Sequence, residues 1–173
     1  MRTLILTLAL ALSSCSAAIA AHFGFSDKPL SDVEKNWIRN GLGLPDSTPI
    51  TFVKSKELPS ADPLKLYIPA KVTEEERKEV LHWVGKWNAG EGAKYGTVKV
   101  VTDISGADVI GMLVVVRPNI PAGGSFGFAL PYLISRTQDG FNVIWRGEGT
   151  RDRDVLLKEL KKRIKARVRL SGE

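Results

Sequence analysis

Residues 132–148 read YLISRTQDGFNVIWRGE, and this stretch decides the fold. Two runs rich in β-branched and aromatic residues, Tyr132 to Gln138 and Phe141 to Glu148, flank Asp139-Gly140, the strongest short hairpin signal in the chain. A two-residue turn there sets Ile134 opposite Trp145, on the face shared by Tyr132, Phe141 and Val143. Asn142, Arg146 and Glu148 then point the other way, which makes Trp145 core and Arg146 exposed. One more loop residue would put Ser135 and Thr137 against the aromatic face, so the pattern selects the shorter turn.

Downstream, Asp154 to Arg169 places Leu156, Leu157, Leu160, Ile164 and Val168 on one stripe of a closing amphipathic helix. Upstream, Asp108 to Arg117 is apolar on both faces, as expected of a central strand covered by helices on each side. Between it and the hairpin, Asn119 to Gly127 is a Pro/Gly-rich connection. Thr97 to Thr102 and Leu64 to Ile68 read as further strands, and Ile50 to Ser55 alternates weakly. Thr73-Glu74-Glu75-Glu76 is a capping box, and the helix it opens carries Val80, Val84 and Trp87 on one stripe, flanked by Leu81 and Trp83. Asn88 to Gly96 reads as a loop. Ser31-Asp32-Val33-Glu34 is another capping box, opening a short helix with Val33, Trp37 and Ile38 as its apolar face and Asn40-Gly41 as its end. The sum is an α+β domain over residues 31–173: a mixed sheet of about five strands, amphipathic helices packed on it, and a C-terminal helix.

The first thirty residues carry a different message. Arg2 is a short positive region and Thr3 to Leu12 an apolar run of ten residues, too short to span a bilayer and suited to a signal peptide. Leu12-Ser13-Ser14-Cys15 follows, and it resembles the lipobox of bacterial lipoproteins. That resemblance implies cleavage after Ser14 and acyl chains on Cys15, the only cysteine of the 173 residues. The thiol is the side chain that readily forms a thioether to a diacylglyceryl group. Residues 1–14 are then the signal peptide and 15–30 a lipidated tether, whose fourteen residues Ser16 to Pro29 reach at most roughly 50 Å. Ala18-Ile19-Ala20 offers the alternative of an ordinary secretory signal and a soluble periplasmic or secreted product. Ser16, rather than an aspartate, follows the cysteine; by resemblance to the sorting rule of enteric bacteria this implies the outer membrane.

Chemistry is mostly absent. With one cysteine and two histidines, His22 in the tether and His82 in mid-helix, there is no metal cluster and no Cys–His or Ser–His–Asp set. Gly123-Gly124-Ser125-Phe126-Gly127 lacks the lysine and the helix of a phosphate loop. No cofactor is expected. Net charge is +6, and one of the 25 basic residues lies in the signal while all 19 acids lie after it, leaving +5 on the processed chain. Residues 151–173 hold nine basic and four acidic residues, the same +5, so the basic character belongs to the C-terminal element. On a helical wheel Lys158, Lys162, Lys165 and Arg169 form a stripe opposite the leucines. A solvated face explains it; contact with an anionic surface is the functional alternative. Nucleic acid as a partner conflicts with export.

Three short marks between Leu64 and Arg169 carry a further resemblance. They are Leu66-Tyr67-Ile68 before a helix, Ala107-Asp108-Val109-Ile110 opening a central strand, and Ile144-Trp145-Arg146-Gly147 on a later strand. Together they look like a group of envelope lipoproteins whose fold is similar to the TolB N-terminal domain and the periplasmic domain of the curli secretion lipoprotein. Thr137-Gln138-Asp139-Gly140 keeps that group's turn but lacks its strand aspartate. The resemblance implies an interaction domain and supplies no catalytic residue. The expected function is a membrane-anchored module that binds an envelope protein or polymer. The alternative is a small hydrolase using Asp103 and Asp108, which lie near the ends of adjoining strands.

Overall fold

A computed structural model describes residues 29–55, 57–69, 72–116, 128–147 and 154–170. Ser14, Cys15, His22 and the Gly-rich connection 119–127 lie outside the described residues. The elements in chain order are α1 (Asp32–Leu42), β1 (Ile50–Phe52), β2 (Leu64–Tyr67), α2 (Glu74–Ala89), the one-turn α3 (Gly92–Tyr95), β3 (Val98–Val101), a 3₁₀ turn (Ile104–Gly106), β4 (Val109–Val116), β5 (Phe128–Arg136), β6 (Phe141–Arg146) and α4 (Asp154–Leu170).

Six strands form one mixed sheet in the order β1-β6-β5-β4-β2-β3. The β4–β5 and β5–β6 pairs are antiparallel, while β1 on β6, β2 on β4 and β3 on β2 are parallel. The fold is α+β, as the sequence predicts, with the weakly alternating segment at Ile50 contributing a short edge strand. A one-turn helix, α3, also stands where a plain loop was expected.

Two apolar layers sandwich the sheet. On one face Ile38 and Leu42 of α1 meet Ile110, Met112, Leu130, Tyr132, Ile134 and Val143. On the other, Val84 and Trp87 of α2 and Leu156, Leu160 and Ile164 of α4 cover Leu66, Val109, Leu133 and Ile144. β4 is apolar on both sides because it feeds both layers. Both capping boxes form as the sequence predicts. Helix α1 is rotated from the expected face: Glu34, Ile38 and Leu42 are buried while Val33 is 50% exposed. It also runs past Gly41 to stop at Gly43, whose φ of 67° is the left-handed conformation that glycine adopts without penalty.

The hairpin differs in register from the expected one. Its turn is centred one position earlier, on Gln138 and Asp139: Thr137 N–H donates to the Gly140 carbonyl at 2.9 Å, and Ile134 faces Val143. That displacement moves each partner by two, so Ile134, Phe141 and Val143 keep their common face. A bulge at Ile144 then changes the parity: Leu133 pairs with Trp145, and Tyr132 with Arg146. Trp145 therefore joins the layer under α4, half-buried, and Arg146 swings into the layer under α1. Gly140 has no positive φ. It is glycine because a Cβ there would collide with the Pro49 carbonyl oxygen, which accepts from Phe141 N–H at 3.0 Å where β1 joins β6.

Candidate functional site

The C-terminal helix holds the net charge, and its polar side chains fall into three groups. Arg163 and Arg167 turn inward. Arg163 Nε donates to Glu159 Oε1 at 2.7 Å, and its guanidinium also reaches the Ser55 carbonyl. Arg167 donates to the carbonyls of Pro59 (2.9 Å), Ala61 (2.8 Å) and Tyr95 (3.3 Å). Both tie the helix to the connection between β1 and β2, and Arg167 also to the end of α3, a use for which the guanidinium's forked donors are suited.

Lys158 and Lys162 form the second group, on the exposed side. Lys162 is 77% exposed and reaches Glu159 at 3.5 Å. Arg169 lies on the same helix with its side chain outside the described atoms. The third group is Lys161 and Lys165, one turn apart on the flank toward α2 and α3. Their ammoniums converge on one carboxylate, Glu91: Lys161 Nζ on Oε1 at 2.5 Å and Lys165 Nζ on Oε2. These hydrogen bonds, Lys161's first, hold the Glu91 carboxyl below its ordinary range. The predicted stripe is thus divided, with Lys165 belonging to a site that also includes Lys161.

Beneath these lysines lies a row of rings. Trp83 and Trp87 stack with centroids 5.9 Å apart and planes inclined by 16°, and Tyr95 follows at 6.2 Å from Trp87. Lys161 Nζ sits 5.8 Å from the Trp87 ring centre, and Lys165 and Lys94 sit 5.5 and 5.1 Å from that of Tyr95. Trp87 is core, its indole N–H donating to the Gly96 carbonyl at 2.9 Å; Trp83 and Tyr95 are half-buried. The i,i+4 spacing of Trp83 and Trp87 and of Lys161 and Lys165 is visible in the sequence. Glu91 and Tyr95 are not, because their place under α4 is a tertiary contact.

Across the sheet lies a polar cluster that the sequence did not suggest. Arg146 Nη1 meets Glu34 Oε1 at 2.7 Å with both side chains under 5% exposed, and the guanidinium lies 5.2 Å from the Phe52 ring centre. Glu34 Oε2 accepts from Ser31 N–H and Oγ at 3.0 Å, so one carboxylate closes the α1 capping box and neutralises the arginine. The Tyr132 hydroxyl donates to Glu34 Oε1 at 3.4 Å, and burial, aided by that carboxylate's charge, pushes the phenol's pKa well above 10.0.

The acids of the hydrolase alternative are both bound to backbone. Asp103 accepts from Ser105 N–H at 2.8 Å as the cap of the 3₁₀ turn, and this contact with Ser105 lowers its pKa. Asp108 accepts from Lys65 N–H at 2.8 Å, securing β2 to the start of β4. His82 is exposed on α2. Among the described residues, no group of three or more His, Cys, Asp or Glu side chains is placed to hold a metal. Comparison with family models, curated proteins and solved structures finds no match to this chain.

Proposed function

We propose that this chain is a bacterial envelope lipoprotein, cut after Ser14 and held by acyl chains on Cys15, whose α+β domain binds a protein or polymer of the envelope. The observation that carries the reading is the position of the lone cysteine, at the end of a ten-residue apolar run behind Leu12-Ser13-Ser14. Ser16 favours the outer membrane, with the domain on the periplasmic side. A binding module is favoured over a hydrolase because Asp103 and Asp108 each serve a backbone N–H, which accounts for their types and positions without a reaction. No helix among the described residues is long and apolar enough to cross a membrane.

The test is fractionation of the full chain in a bacterial host. The wild type is expected in the membrane fraction after a high-salt wash, with the mass of a diacylated or triacylated Cys15 N-terminus. Cys15→Ala is expected in the soluble fraction, since stable anchoring takes more than one acyl chain. Retention of Cys15→Ala on washed membranes, or an unmodified wild-type mass, overturns the reading.

A further inference from the structure

Two ammoniums gathered on one exposed-side carboxylate, above a row of rings in which Trp83 and Tyr95 flank the buried Trp87, form more than a solvated helix face. We propose that the face built from α2, α3 and α4 around Trp83, Tyr95, Lys94, Lys161 and Lys165 docks on an anionic bilayer. Glu91 holds the place of a lipid phosphate when the face is free. The inference rests on the lipid anchoring proposed above, and it adds which side of the domain meets the membrane.

Four observations carry it. Glu91 presents two oxygens, one to Lys161 and one to Lys165, and its side chain remains 35% exposed, so an incoming phosphate reaches the same two donors from solvent. A phosphate oxyanion has the charge and acceptor geometry to replace that carboxylate. The cations also stand over Trp87 and Tyr95, with Trp83 stacked on Trp87, and indole and phenol rings with neighbouring lysines are the side chains that settle at headgroup level. The charge is one-sided as well: the mature chain up to Thr150 balances to zero, while residues 151–173 carry +5. Lys158 and Lys162 lie next to that flank on the exposed side of α4 and extend the cationic area outward from Glu91. A soluble acidic polysaccharide is the weaker fit. Lysines already lie over the Trp87 and Tyr95 rings, on which a sugar would stack.

The experiment uses the full chain, purified from host membranes in detergent and mixed with vesicles of phosphatidylcholine alone or with phosphatidylglycerol added. Flotation with the neutral vesicles reads the anchor. Amine acetylation at low salt, quantified by mass spectrometry, reads the docking. Lys161 and Lys165 are expected to react about fivefold more slowly with the anionic vesicles than with the neutral ones, the effect of one cation near such a surface. Lys35, on α1 behind the sheet, should react equally in both, and high salt should erase the difference. Glu91→Gln removes the competing carboxylate and is expected to widen the anionic-to-neutral ratio by about another fivefold, a gain that a purely structural ion pair would not give. Lys161→Gln with Lys165→Gln should remove the protection of Lys94. Equal labelling of Lys161 and Lys165 on both vesicles overturns the proposal, as does protection of Lys35 instead. A Glu91→Gln ratio no larger than wild type overturns the phosphate-mimic role. Protection by dextran sulfate but by neither vesicle reassigns the face to a polymer. Failure to float with neutral vesicles counts against the anchor alone, because labelling is read whether or not the chain is tethered.

Discussion

At the scale of single residues, the most consequential side chain is Arg146. Buried with Glu34 at 2.7 Å, it joins the last strand of the sheet to the first helix of the domain. Breaking such a pair from one side costs about 3–5 kcal/mol, because the carboxylate left behind is charged and dry. Arg146→Leu is therefore expected to lower urea stability by about that much. Adding Glu34→Gln, which keeps the capping box and removes the charge, should recover a large part of it; no recovery would show that the two do not interact in the fold. Tyr132 gives a second handle. Its folded pKa is raised by burial, so the unfolded chain releases the phenol proton first as pH climbs past 10.0. The stability is fully present below that value and falls above it, and Tyr132→Phe should flatten the loss between pH 10 and 12 in alkaline melts relative to wild type. None of this was legible beforehand. Alternation along Phe141 to Arg146 assigns Arg146 to solvent, and one extra residue at Ile144 reverses that assignment for everything after it.

Among the elements, legibility followed the length and regularity of the pattern. Helix α4 shows Leu156, Leu160 and Ile164 at helical spacing, and all three are buried; β4 reads as central from its apolar run and is central. Both helix starts were readable from Ser31 and Thr73, because a capping box is a local device. The face of α1 was not, since burying Glu34 makes sense only with Arg146 opposite. The basic stripe was half legible: spacing finds Lys165, but its partner Glu91 lies on a separate element. The hairpin supports two predictions. Gly140→Ala should push Pro49 away and unpair β1 from β6, seen as faster amide exchange at Phe141 and Val53 with the rest of the sheet protected. Trp145 is half-buried, so Trp145→Ala should cost about 2 kcal/mol, below the roughly 3–5 of a fully buried tryptophan. A larger loss would restore it to the core.

On the scale of the whole molecule, one face of the sheet depends on α4, the last of the described elements. Without α4, the layer containing Leu66, Val109, Leu133 and Ile144 would keep only Val84 and Trp87 of α2 as its cover. A chain ending at residue 153 is expected to bind a hydrophobic dye and to lose its cooperative melt, whereas Leu160→Ala in the full chain should cost only about 2–5 kcal/mol and stay cooperative. A cooperative truncated form would show that α2 covers that face by itself. The parallel pairing of β1 with β6 has a consequence in time. Strand β1 finds its ladder partner only on β6, and Glu34 waits 112 positions for Arg146. Synthesis at about 5–20 residues per second leaves the N-terminal segment without its closing contacts for several seconds. Pairing over so long a sequence separation also slows folding once Arg146 has been made. On the export proposed above, this strand order would keep the polypeptide from folding before it is threaded through a translocation channel.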